Sequence, residues 1–147
     1  MKNIARSAIV EHSAAEMYAL VENIEAYPQF LPWCTAAQVH ERLPGRTRAT
    51  LTVGVGGLSH AFTTLNDTRP GEAIDMHLVS GPFRRFEGRW RFVALAPDAC
   101  RIEFSLQYEF SSRMLARLLE PLFDTIANTM VDAFTRRADE RYGRAGG

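Results

Sequence analysis

Lysine is almost missing from this chain. Lys2 is the only one, so nearly all of the positive charge is arginine. Arginine forks suit phosphate and carboxylate, but genome composition alone produces the same bias, and that plainer reading is preferred. Net charge is missing too, because 17 basic residues balance 17 acidic ones. A whole-molecule field therefore does not draw the protein to nucleic acid or an anionic membrane, and DNA is set aside as a partner. Only two cysteines occur, Cys34 and Cys100, too few for a disulfide framework. No run approaches the roughly 20 apolar residues that cross a bilayer. Met1–Arg6 carries charge but no apolar stretch follows it, as a secretory leader would require. The expectation is a soluble cytoplasmic protein with no transmembrane segment, which leaves transient membrane contact open.

Catalytic and metal signatures are equally scarce. His12, His40, His60 and His77 show no metal-ligand spacing. Gly54-x-Gly56-Gly57 lies between two strand-like runs with no helix after it, so it is no phosphate loop. Scattered Ser, His and Asp residues define no triad. An inward His60 beside Tyr108 would suit acid/base work, although a structural histidine is the preferred reading. Cys34 follows Trp33 in an apolar setting that raises a thiol pKa, and it reads as structural.

What the chain does have is a dense aromatic-proline stretch, Tyr27-Pro28-Gln29-Phe30-Leu31-Pro32-Trp33-Cys34. It is too apolar to float in solvent and too proline-broken for one long helix, so it should cover something. Before it, residues 3–10 read as a strand. Ser13 and Glu16 form a capping box that opens a helix ending near Asn23, with a short helix from about Glu25 to Phe30. After it come strand-like runs at 35–43, 47–55, 59–69 and 73–79, punctuated by Pro44-Gly45 and Pro70-Gly71. Phe86, Gly88, Trp90, Phe92 and Ala94 then alternate with polar residues, as do Cys100, Ile102, Phe104, Leu106 and Tyr108. A three-residue turn between these runs sets Trp90 opposite Phe104 and Arg91 opposite Glu103, which pairs opposite charges on the outer face. Strands joined by short turns make an antiparallel meander.

Residues 112–142 close the chain as an amphipathic helix. Leu115, Leu119, Leu122, Ile126, Met130 and Phe134 form its stripe, widened by Leu118, Phe123 and Val131. Pro121 sits inside the pattern and should kink the helix or mark a handover between two. The fold class is α+β: a curved antiparallel sheet wrapped around the long C-terminal helix. Residues 1–142 are read as one domain and 143–147 as a flexible tail.

The aromatic-proline stretch, the run Ser80-Gly81-Pro82-Phe83-Arg84-Arg85-Phe86-Glu87-Gly88-Arg89-Trp90-Arg91-Phe92, and the helix end Ala133-Phe134-Thr135-Arg136-Arg137-Ala138 carry a family likeness. In these the chain resembles, over essentially its whole length, the coenzyme Q-binding, START-like family. That family takes in bacterial ribosome-association toxins of the RatA type and mitochondrial coenzyme Q-binding proteins, within the polyketide cyclase/dehydrase-like superfamily. The resemblance implies a helix-grip fold with a hydrophobic cavity between sheet and C-terminal helix. It implies a hydrophobic ligand, a polyprenyl quinone such as ubiquinone or another lipid, and so a non-enzymatic carrier supporting respiratory electron transport. The alternative it carries is a translation inhibitor that binds the large (50S) ribosomal subunit and blocks subunit association. An aromatase/cyclase-like enzyme ranks third. No cofactor is required, and bound ubiquinone would be the ligand.

Quinone binding needs an apolar groove for the tail, plus ring stacking and a donor for the head. The candidates are Phe30 and Trp33 from the corner, and Leu51, Val53, Phe62, Met76 and Leu78 from the middle strands. Phe83, Trp90, Phe104 and Tyr108 follow from the later strands, and Phe123, Ile126 and Met130 from the helix. Tyr108 and the Trp33 indole are the candidate donors. Gly81-Pro82-Phe83 is read either as a mobile gate or as a plain turn. For ribosomal RNA the candidates are Arg84, Arg85 and Arg89, with Arg91 nearby, and Arg136 and Arg137, followed by Arg141 and Arg144.

Overall fold

A computed structural model describes residues 1–55 and 57–143. Gly56 of the glycine-rich break, Arg144 and the rest of the expected tail beyond Gly143 lie outside the described residues. The chain runs β1 (Lys2–Val10), α1 (Ala14–Glu22), a 3₁₀ segment (Ile24–Gln29), β2 (Cys34–Leu43), β3 (Arg46–Val55), β4 (Leu58–Arg69), β5 (Ala73–Ser80), β6 (Phe83–Ala96), β7 (Ala99–Phe110) and α2 (Arg113–Tyr142). The seven strands form one antiparallel sheet in the order β1-β7-β6-β5-β4-β3-β2. Thus β2 to β7 are a meander, and β1 closes the far edge against β7.

Local chemistry explains the boundaries. The Ser13 hydroxyl accepts from the Glu16 amide and the Glu16 carboxylate accepts from the Ser13 amide, both at 3.0 Å, which satisfies two orphan donors at the start of α1. The Ser112 hydroxyl caps α2 by accepting from Leu115 N–H at 3.2 Å. The β6–β7 register sets Trp90 opposite Phe104 and Arg91 opposite Glu103. The Trp90 and Phe104 ring centroids are 4.7 Å apart. The outward charges pair differently from the expectation. Arg91 bonds Asp75 on β5 at 2.8 Å, and Glu103 takes Arg101 at 3.5 Å. A neighbouring strand offered Arg91 a closer carboxylate than its own cross-strand partner did.

α2 is one unbroken helix of 30 residues, about 45 Å long at 1.5 Å per residue. Pro121 removes one backbone donor, yet no handover occurs. Its ring faces solvent, while Leu119 on one side and Phe123 and Ile126 on the other are buried and hold both halves to the sheet. Leu118, expected in the buried stripe, is half exposed. The buried face instead follows Leu119, Phe123, Ile126, Ala127, Val131, Phe134 and Ala138.

The core lies between the inner sheet face and α2. The aromatic-proline corner closes one end: Tyr27, Leu31, Trp33 and Cys34 are buried, while Pro28, Gln29 and Pro32 face solvent. Tyr27 donates its hydroxyl to the Val21 carbonyl and packs edge-on to Phe134 at 5.4 Å. Phe83 already belongs to β6, which begins three residues earlier than the alternation at Phe86 suggests.

Candidate functional site

Sheet and helix do not interdigitate completely. A cavity of about 50 Å³ remains between β3–β7 and α2, closed at one end by the corner. Trp33 lines it from the corner; Leu51, Val53, Phe62, Met76, Trp90 and Phe104 line it from the sheet; Phe123, Ile126 and Met130 line it from α2. All ten are among the candidates named from the sequence: alternation and helical spacing point the sheet and helix members inward, and the apolar corner supplies Trp33. Four other candidates lie elsewhere. Phe83 is 6% exposed and packs among Phe62, Phe86, Tyr108, Phe110 and Phe123 at centroid distances of 5.0 to 6.2 Å, so it is core and no gate. Tyr108 is fully buried, and its hydroxyl donates to Asp124 Oδ1 at 2.8 Å instead of facing the cavity. Burial, followed by Asp124, pushes that phenol well above its ordinary range. Phe30 is half-buried, 5.3 Å from the Phe134 ring and beneath the Arg137 guanidinium at 4.9 Å. Leu78, near the end of β5, borders an outer groove with Arg84 and Arg85.

Sequence reasoning missed Ile24, Tyr27, Ala49 and Phe86 of the lining, and also Thr64, Asn66 and Leu106. Asn66 had a readable signal. It shares strand parity with Phe62, and a polar residue at an inward position breaks the binary pattern. It is 3% exposed, and its Oδ1 accepts from the Thr64 hydroxyl at 2.9 Å.

The reactive side chains form no catalytic set among the described residues. His60 has no hydrogen-bond partner there, and the hydroxyl of Tyr108 is committed to Asp124. Cys34 is buried, and burial pushes its thiol up to about 11, which leaves little thiolate near neutral pH. No group of three or more His, Cys, Asp or Glu residues among the described residues is placed to hold a metal ion. No helix is long and apolar enough to cross a membrane among the described residues.

The candidate arginines divide by partner. Arg84 faces Glu109 at 3.8 Å, Arg89 faces Asp75 at 3.6 Å, and Arg137 faces Glu140 at 3.6 Å. Arg85 and Arg136 are exposed and have no ion-pair partner among the described residues. Arg136 and Arg137 border a groove with Phe30, Pro32 and Trp33, where α2 meets the corner.

Comparison with known proteins sets this geometry in context. Residues 10–135 match the family model described as polyketide cyclase / dehydrase and lipid transport. The chain is 45% identical over 141 residues to the ribosome association toxin RatA of Pseudomonas aeruginosa, covering 96% of this chain and 98% of that one. It is 30% identical over 144 residues to a mitochondrial coenzyme Q-binding protein homologue of Xenopus laevis, covering 95% of this chain and 59% of that one. The Zhui aromatase/cyclase of Streptomyces sp. R1128 superposes with a TM-score of 0.85 at 17% identity, covering 99% of this chain and 98% of that one, which is a likeness of fold alone.

Proposed function

Because the chain belongs to the polyketide cyclase/dehydrase and lipid transport family, and within it to the ribosome-association toxins of the RatA type, we propose that it binds the large ribosomal subunit and blocks subunit association. The observation that carries this reading is the end-to-end match to a RatA toxin, with 98% of the relative covered. The reading takes residues 1–142 as the working unit. With zero net charge, docking rests on local patches rather than a global field. Arg85 and Arg136, which have no ion-pair partner among the described residues, can take phosphates. Arg84 and Arg89 have exposed side chains in loose ion pairs, each worth at most about 1 kcal/mol, so exchanging a carboxylate for a phosphate costs little. Co-sedimentation with purified large subunits tests this. Binding is expected to weaken as salt rises, and the double variant Arg85→Glu/Arg136→Glu should bind about tenfold more weakly with an unchanged melting temperature. Absence of co-sedimentation at low salt sinks the proposal.

A second reading, binding of a hydrophobic ligand such as a polyprenyl quinone, is favoured by the apolar cavity and by the likeness to a coenzyme Q-binding protein. The magnitudes rank it second. Ligand pockets span roughly 300–1,000 Å³, whereas this one holds about 50 Å³. Side chains must move before a ring enters. Native mass spectrometry with organic extraction tests it, and a protein that carries no ligand and takes up no added quinone refutes it. Nothing in the arrangement of His60, Tyr108 and Cys34 favours an aromatase/cyclase reading.

A further inference from the structure

One row of residues crosses the cavity floor. Register places Asn66 on β4 opposite Met76 on β5, Met76 opposite Gly88 on β6, and Gly88 opposite Leu106 on β7. Two features of this row are unusual for a core.

The first is Asn66. An amide with 3% exposure is costly to bury unless its groups are paired. Its carbonyl oxygen is satisfied by Thr64, but its Nδ2 has no hydrogen-bond partner among the described residues. The residue lines the cavity, so a spare N–H₂ donor stands in an otherwise mostly apolar space. Thr47, its neighbour across β3, does not relieve it, because the Thr47 hydroxyl donates to Glu22 at 2.7 Å.

The second is Gly88. A Cβ built there would lie 2.1 Å from the Met76 terminal methyl and 3.6 Å from its sulfur. Met76 therefore lies flat across bare backbone, in a notch that exists only because β6 carries no side chain at this position. Methionine is the residue best able to leave such a notch, being unbranched and only half buried.

We propose that this row is a ligand site for an apolar ring bearing a hydrogen-bond-accepting carbonyl. The ring lies on the sheet over Gly88 when Met76 swings aside, and Asn66 Nδ2 donates to the carbonyl oxygen. The proposal rests on the hydrophobic-ligand reading above and adds to it the ligand's polar group, its anchor and the side chain it displaces.

A matched pair of probes tests it: 1-tetralone, which has one ketone, and tetralin, the same skeleton without it. In the intact protein, calorimetric titration should show 1-tetralone binding about tenfold tighter, the size of one buried hydrogen bond. In ¹⁵N-resolved spectra the Asn66 side-chain amide should shift with 1-tetralone only. Asn66→Leu should bring the two affinities together. Gly88→Ala, which pushes Met76 into the cavity, should weaken both probes, and Met76→Ala should tighten both. Equal affinities with an unmoved Asn66 amide overturn the anchor while leaving the hydrophobic-ligand reading standing. No binding of either probe to the wild type or to Met76→Ala overturns both. The wild-type affinities and the amide shift decide the matter even where a variant fails to fold.

Discussion

Replacing Phe83 by alanine separates a packed core from a mobile gate. The ring has five aromatic neighbours within 6.2 Å, one of them Phe110, stacked at 5.1 Å with a 23° interplanar angle. Truncating a ring so enclosed loses its transfer free energy and leaves a cavity, which together cost about 3–5 kcal/mol. For a chain of this size each kcal/mol moves the melting temperature by about 2–4 °C, so a loss near 4 kcal/mol predicts a fall of about 8–16 °C. A gate resting on the surface would cost less than about 1 kcal/mol. Urea unfolding followed by circular dichroism measures the difference, with an unchanged denaturant slope as the check that only stability moved. A loss under about 1 kcal/mol refutes the reasoning and restores the gate.

The backbone just before Phe83 and the buried corner give two further expectations. Gly81 has φ of +150°, and a Cβ there would come within 2.6 Å of the Phe62 Cβ. Gly81→Ala should therefore cost about 1–3 kcal/mol from overpacking, with backbone strain added, and calorimetry would read it. A melting temperature equal to the wild type's would contradict the close approach. Burial, and then the nearby Glu22 charge, holds the Tyr27 phenol well above its ordinary range. The folded state therefore keeps this proton while the unfolded state releases it above about pH 10, so stability is present below that pH and lost as pH rises further. The contribution is about 1.4 kcal/mol per pH unit. Between about pH 10 and 12 Tyr27→Phe should flatten the alkaline fall in the unfolding free energy, measured by urea titration, by that slope, and an unchanged slope would count against a buried, protonated Tyr27.

The first strand, the capped helix, the meander and the long final helix were all legible. Each rests on a local rule: a capping box at Ser13 and Glu16, period-two alternation through Trp90 and Phe104, and a helical stripe through Leu119 and Phe134. The β6–β7 register was legible for the same reason, because one tight turn and one buried face leave a single way to pair the strands. Of the lining residues named from the sequence, six followed from strand parity and three from helical spacing. The misses have other causes. Tyr108 and Leu78 sit at inward parity near the ends of their strands, and parity gives a face but not a depth along it. Phe83, three residues before Phe86, is off that parity and is brought inward by a register shift between Phe83 and Arg85 that alternation does not encode.

Residue order was enough to dictate a seven-strand antiparallel sheet gripped by one helix, since periodicity and turn chemistry act within a few residues. Packing between distant segments settled what remained. It gave Arg91 to Asp75, carried α2 unbroken through Pro121, and turned the Tyr108 hydroxyl to Asp124. It also left Asn66 and the Met76–Gly88 notch facing about 50 Å³ of space. These outcomes depend on distances between segments far apart in the chain, and a residual volume is a small difference between large packed surfaces that no local pattern encodes.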